Sequence, residues 1–241
     1  ELQRVVLCAP AQAAAVVAAT RIVVDDPRAG FLDVLAGLQP DWVRTTREQF
    51  EVLGLEAGRS DIHPSAVIED GVVIGARCTI EPGVVVKRGT VIGHDSHVSA
   101  HSVLGTHGPS LYKTPTRVFS YLRLHVGTLQ VMDHVEVGNA CVVLKGMLGR
   151  TLVGHGSVLG NMVHIGHGCE IRDHVWMAAS VTVCGHAVVD AYASIGAGSV
   201  IRDNVRVGAH ASVGMGSVVV GDVADEVSVL GVPARETQTR R

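Results

Sequence analysis

Ile195-Gly196-Ala197-Gly198-Ser199-Val200-Ile201-Arg202-Asp203-Asn204-Val205-Arg206-Val207-Gly208-Ala209-His210-Ala211-Ser212-Val213 puts an aliphatic residue at every sixth position. A small or β-branched side chain follows four residues after each: Ser199, Val205, Ala211 and Ser217. A helix repeats every 3.6 residues and a strand every two, so neither holds a register of six. A unit made of a short strand and a tight turn does. Three units close a triangular coil of 18 residues with the aliphatic side chain inward and a turn residue free for φ > 0.

The register extends in both directions from this stretch. Upstream it runs without a miss through Val153, Leu159, Ile165, Ile171, Met177, Val183 and Val189, and downstream to Val219. An earlier block holds Ile62, Ile68, Ile74, Ile80, Val86, Ile92, Val98 and Leu104, and a middle one Val131, Val137 and Val143. The twenty-three units predict a left-handed parallel β-helix of hexapeptide repeats with about seven to eight coils. Coils spaced like parallel strands, about 4.8 Å apart, make a prism on the order of 35 Å long.

Two interruptions stand out. Residues 105–127 hold Pro109, Tyr112, Lys113, Pro115, Arg117, Tyr121 and Arg123 and read as a long loop ejected from the prism, of the kind usually tied to function. Val143 and Val153 are ten residues apart, which predicts a short excursion over 145–150. Before the prism, residues 1–58 read as a small α/β domain. Strands are expected over 4–9 and 20–24, and helices over 11–19 and 30–38. The β-helix domain is assigned to 59–221, and 222–241 to a C-terminal cap and tail.

Composition narrows the function classes. The 241 residues are 47% hydrophobic and 3% aromatic, so the core is aliphatic. Twenty basic residues against 23 acidic leave a formal charge of −3, without the basic excess of a nucleic-acid binder. No apolar run reaches the roughly 18 to 20 residues of a membrane span, and no signal-peptide pattern is read from Glu1 onward. Five scattered cysteines without a CxxC pair fit small buried residues in a reducing, cytoplasmic compartment.

Of the thirteen histidines, His94, His97, His134, His155, His174 and His210 are expected to be solvent-facing turn residues. The stretch Asn161-Met162-Val163-His164-Ile165-Gly166-His167-Gly168 is denser. With Ile165 inward, His164 and His167 lie outside, and one coil of 18 residues sets Gly185 beside His167, with Asp203 one coil further. A neutral imidazole can take a proton from an attacking amine or hydroxyl. A free backbone N–H can hold a tetrahedral oxyanion. The competing use is metal: His155, His164, His167 and His186 invite comparison with the three-histidine zinc site of the gamma-class carbonic anhydrases. The acidic and polar partners of that site have no place here, so no metal ligand is assigned. No Ser or Cys sits in a nucleophile-elbow setting.

The stretch from Gly160 to Gly168 resembles the motif D-N-x-x-Q-I-A-H-N of the UDP-3-O-acylglucosamine N-acyltransferases of lipid A synthesis, within the hexapeptide-repeat acyltransferase superfamily. Val23-Val24-Asp25-Asp26-Pro27, residues 62–68, the long loop and the final repeats extend the resemblance over nearly the whole chain. The resemblance implies His167 as general base and the Gly185 amide as oxyanion donor. It further implies Asn161, His164, Asn204, Asp26 and Phe31 as substrate-binding residues and a homotrimer with sites between subunits. No bound cofactor is implied; acyl carrier protein or coenzyme A would present the acyl group as a phosphopantetheine thioester, and a nucleotide-linked amino sugar would accept it. The chain departs from the family at Asp26 (for Asn), Arg28 (for an aromatic), His164 (for Gln), Gly168 (for Asn) and Asn204 (for His). Gly231-Val232-Pro233-Ala234 resembles the ending of acetyl-CoA-dependent sugar acetyltransferases, which gives a second reading. A trimeric scaffold without activity is the third.

Overall fold

The computed structural model describes residues 5–8, 20–23, 59–108, 110–113, 119–122 and 125–237. Contacts divide the chain into two units, Glu1–Arg44 and Thr45–Arg241. In the first, Val5–Cys8 and Thr20–Val23 pair in parallel, which matches the two expected strands. The expected helices over 11–19 and 30–38, together with Asp26 and Phe31, lie outside the described residues.

The second unit is a left-handed parallel β-helix of about eight turns, and no helix occurs among its described residues. Its strands are mostly two residues long and stack into three faces. The first face includes His97–Val98, Glu136–Val137, Val158–Leu159 and Trp176–Met177. The second includes Val103–Thr106, Val142–Leu144, His164–Ile165, Thr182–Val183 and Val200–Ile201. The third includes Thr128–Val131, Arg150–Val153, Glu170–Ile171, Val188–Val189 and Arg206–Val207. In the uninterrupted part, partners are 18 residues apart: Ile165 pairs with Val183, and Val183 with Ile201.

Two columns of side chains fill the axis. The register aliphatics are buried from Ile80 to Val219. The residues four positions later, among them Cys141, Cys169, Ala187, Ala193 and Ala211, are buried beside them because three converging faces leave little width. Where this residue is Ser96, Ser102 or Ser157, its hydroxyl both donates and accepts. Ser157 donates to the Arg172 carbonyl at 2.8 Å and accepts the Val175 N–H at 3.1 Å. Buried polar groups are tolerated on that condition. Three residues after most of these aliphatics the chain turns with positive φ, near +60° at His134, His174, His186, Tyr192, Asn204 and His210. Histidine and asparagine tolerate this left-handed geometry better than β-branched residues do.

Both interruptions leave from one edge, the corner between the second and third faces. The ejected segment is more ordered than a loop: Ser110–Lys113 and Phe119–Leu122 form an antiparallel hairpin. The chain returns through His125, Val126 and Gly127, all buried. The excursion at Lys145 stays against the prism: Lys145 is 6% exposed and its backbone N–H donates to the Thr106 carbonyl. The two departures knit together: Val126 N–H donates to the Met147 carbonyl and Thr128 N–H to that of Gly149. At the C-terminal end Ser228–Leu230 adds to Ser212–Val213, and Arg235–Glu236 folds back antiparallel to close the stack.

Candidate active site

The second corner becomes regular again at His167, directly above the two interruptions. Ile165 is fully buried, so the chain leaves the core there and sets His167 two residues later on the corner. One coil up is Gly185 and two coils up Asp203, as the 18-residue arithmetic requires. The His167 ring lies over Gly185. A Cβ built on that glycine would stand 3.0 Å from both Cε1 and Nε2 of the imidazole. Gly185 does not have a positive φ, so the close ring, not the backbone, demands glycine here.

The Gly185 N–H has no acceptor among the described residues. On the corner between the third and first faces several of the equivalent amides are capped by side chains from the next coil. His94 N–H donates to Asp133 Oδ1 at 2.8 Å, His155 N–H to Asp173 Oδ1 at 2.9 Å and Ala209 N–H to Asp225 Oδ1 at 3.1 Å. A donor left open beside an imidazole is the pair of groups that acyl transfer uses.

Four imidazoles run along the site. His107 and His125 stand 5.8 Å apart between ring centroids, His125 and His167 5.4 Å, and His167 and His186 4.8 Å, all edge to face. His186 turns down over Gly168, where a Cβ would stand 2.5 Å from its Nδ1 and where φ is +69°, so glycine is required on both counts. Burial, helped by a like charge on His186, pushes His167 below the ordinary histidine value, so it is neutral and able to accept a proton near neutral pH. Burial lowers His164 as well, on the second face. His125 falls furthest, to about 4, through burial. Thiol chemistry has no support here: burial raises Cys184 and pushes Cys169 up to about 12.

The other expected residues are distributed as follows. Asn161 sits one corner away, exposed, with Oδ1 accepting the Asn139 N–H at 2.8 Å. Asn204 lies on the His167 corner above His186, exposed, with Nδ2 donating to Asp203 Oδ2 at 3.0 Å. His155 is on the third-face corner and does not join His164, His167 and His186; among the described residues no group of three possible metal ligands converges. Three histidines expected to be solvent-facing turn residues are otherwise engaged. His97 is in a first-face strand, 2.8 Å from the Glu81 carboxylate, His94 accepts the Ala76 N–H through Nδ1, and His155 accepts the Asp133 N–H through Nδ1.

Sequence reasoning missed His107 and His125, which flank the hairpin, and met His186 only as a metal alternative. His186 was within reach, one residue past Gly185. His125 was not, since an insertion breaks the arithmetic that places coils over one another.

No family profile matches the chain. It is 40% identical over 60 residues to the UDP-3-O-acylglucosamine N-acyltransferase of Leptospira biflexa, covering 25% of this chain and 17% of that one. It is 32% identical over 162 residues to the acyl-[acyl-carrier-protein]–UDP-N-acetylglucosamine O-acyltransferase of Sinorhizobium fredii, covering 61% and 59%. The chain thus spans less than two thirds of the length of these relatives. Among solved structures, the UDP-N-acetylglucosamine O-acyltransferase of Moraxella catarrhalis matches 74% of this chain and 72% of its own at 27% identity and a TM-score of 0.51. In sequence and in fold the chain resembles the nucleotide-sugar acyltransferases of the hexapeptide-repeat superfamily.

Proposed function

We propose that this chain is an acyltransferase that moves an acyl group from a phosphopantetheine thioester to a UDP-linked sugar. The observation that carries the reading is the His167 ring lying over Gly185, whose N–H has no acceptor. His167 Nε2 takes a proton as the acceptor's lone pair attacks the thioester carbonyl. The carbonyl electrons move onto oxygen, where the Gly185 N–H stabilises the charge. Collapse of the tetrahedral intermediate breaks the C–S bond, and the thiolate leaves with the proton held by His167. The acceptor is an amine of a nucleotide-linked amino sugar, and acyl carrier protein or coenzyme A carries the donor. The working unit is a homotrimer, as the resemblance implies, with the corner of one prism facing a neighbour.

O-acylation is the second reading. The Sinorhizobium O-acyltransferase aligns over more of the chain than the Leptospira N-acyltransferase does, and one base and one oxyanion donor serve a hydroxyl equally. A thiol-release assay with acyl carrier protein and coenzyme A thioesters, each offered UDP-linked amino and N-acetylamino sugars, decides among these. Release that requires a UDP-sugar supports acyl transfer, and the acceptor that works selects N or O. No release from folded protein with any pair contradicts it.

A further inference from the structure

His125 belongs to neither the repeat nor the tip of the hairpin; it stands where the hairpin stem re-enters the prism. It is fully buried, against His107, Gly108, Leu144 and His167. A Cβ on Gly108 would stand 2.7 Å from Leu144 Cδ1 and 3.4 Å from His125 Cε1, so Gly108 packs closely over this edge of the ring. Nδ1 of His125 is 3.1 Å from the Lys145 carbonyl oxygen. A carbonyl only accepts, so Nδ1 carries the proton, and in the neutral ring Nε2 is then a bare acceptor. That Nε2 is buried without a hydrogen-bond partner, and so is Nδ1 of His167. Two orphaned buried atoms on adjacent rings call for an explanation.

We propose that His125 is the positioning residue of the site. Its Nε2 accepts from the Nδ1–H of His167, directly after a small ring rotation or through one water, and so fixes His167 as the tautomer whose free nitrogen is Nε2. Nε2 is the nitrogen beside Gly185, where a base must stand. A general base needs a third group to set its tautomer, and Gly168, next in the chain, offers no carboxylate. The ionisable groups facing His125 are His107, His167 and Lys145, and those facing His167 are His125 and His186. The order of attachment makes the hairpin stem and the Lys145 turn part of the site, since together they hold the ring that orients the base.

The inference rests on the acyl-transfer reading for its purpose but not for its test. Imidazole 15N chemical shifts in the full-length protein report the tautomer of His167, assigned by its loss in His167→Ala. The expected wild-type spectrum at pH 7 has Nδ1 protonated and Nε2 bare. His125→Phe keeps the ring volume and removes the acceptor, and His167 should then populate both tautomers. His125→Gln returns an acceptor near the Nε2 position and should restore the single tautomer. In thiol release, His125→Phe should lose roughly 10- to 100-fold in kcat with KM little changed, the scale of a lost orienting partner, and Gln should recover most of it. A His167 protonated on Nε2 in the wild type, or a tautomer unmoved in His125→Phe, overturns the proposal. Should His125→Phe not fold, the wild-type shifts and His125→Gln still decide it. Failure of the acyl-transfer reading would appear separately, as absence of thiol release with the tautomer as expected.

Discussion

Two corners of the same prism receive the same repeat and do opposite things with it. On the corner between the third and first faces, side chains from several coils reach down to cap amides below, as Asp133 does for His94 and Asp173 for His155. The left-handed residues there stack in the open. His174, Tyr192 and His210 lie 5.0 and 4.9 Å apart with planes 21° and 5° from parallel. On the corner between the second and third faces no side chain among the described residues caps the Gly185 N–H: Asp203, one coil above, accepts from Asn204 Nδ2 instead, and Gly185 itself has no side chain to reach down to His167. The histidines of this corner are packed edge to face, His125 buried and His167 half-buried beneath an exposed His186. Polar groups satisfied by one another stabilise a fold; those left unsatisfied beside a titratable ring are available to a substrate. The interruptions at residues 107–127 and 145–149 bring the extra histidines and the burial, and both emerge from the second corner.

Among variants that keep His167, the largest effect on this contrast should come from Gly185→Ala. The new methyl would meet the imidazole at 3.0 Å and push it off the amide. A loss in turnover of roughly 100-fold is expected, the scale of losing an oxyanion donor, with the melting temperature nearly unchanged. Full activity would mean that the ring does not work from that position.

Next is the cost of burying neutral histidines on one corner only. His125 is pulled to about 4 from an ordinary 6.5, so the unfolded chain takes up a proton that the folded chain refuses. Stability present above pH 6.5 should therefore be lost as the pH falls from 6.5 toward 4, on the order of 3 kcal/mol from this group. Thermal melts across that window should show the fall, and His125→Phe should flatten it, leaving the smaller slopes of His164 and His167. A wild-type melt flat across the window would contradict the burial.

The smallest effect should come from the capped corner. Asp173→Ala frees the exposed His155 N–H and should cost about 1 kcal/mol, a drop of a few degrees in Tm, with turnover unchanged. Lost activity at intact stability would place chemistry on the wrong corner.

How much of this was legible follows from the repeat. Every inward residue from Ile80 to Val219 outside the interruptions is placed by counting sixes, and His167 over Gly185 by counting eighteen, because backbone pairing between coils enforces the count. Counting fails where the chain leaves the stack. The antiparallel hairpin, the buried Lys145 and the return of His125 beside His167 depend on packing between two insertions that share no register. The histidines read only as solvent-facing turn residues, His94, His97 and His155, fail for another reason. Position in the repeat says that a side chain points outward, but not that a neighbouring amide or a carboxylate such as Glu81 will claim it.

The most direct test pairs one histidine from each corner. Thiol release would be measured for wild type, His167→Ala and His210→Ala under identical conditions, with circular dichroism melts as a check of folding. The open-corner account predicts that His167→Ala loses two to four decades of turnover, the range of a lost general base, while His210→Ala stays within about twofold and both variants melt like wild type. Release from His167→Ala at the wild-type rate would contradict it.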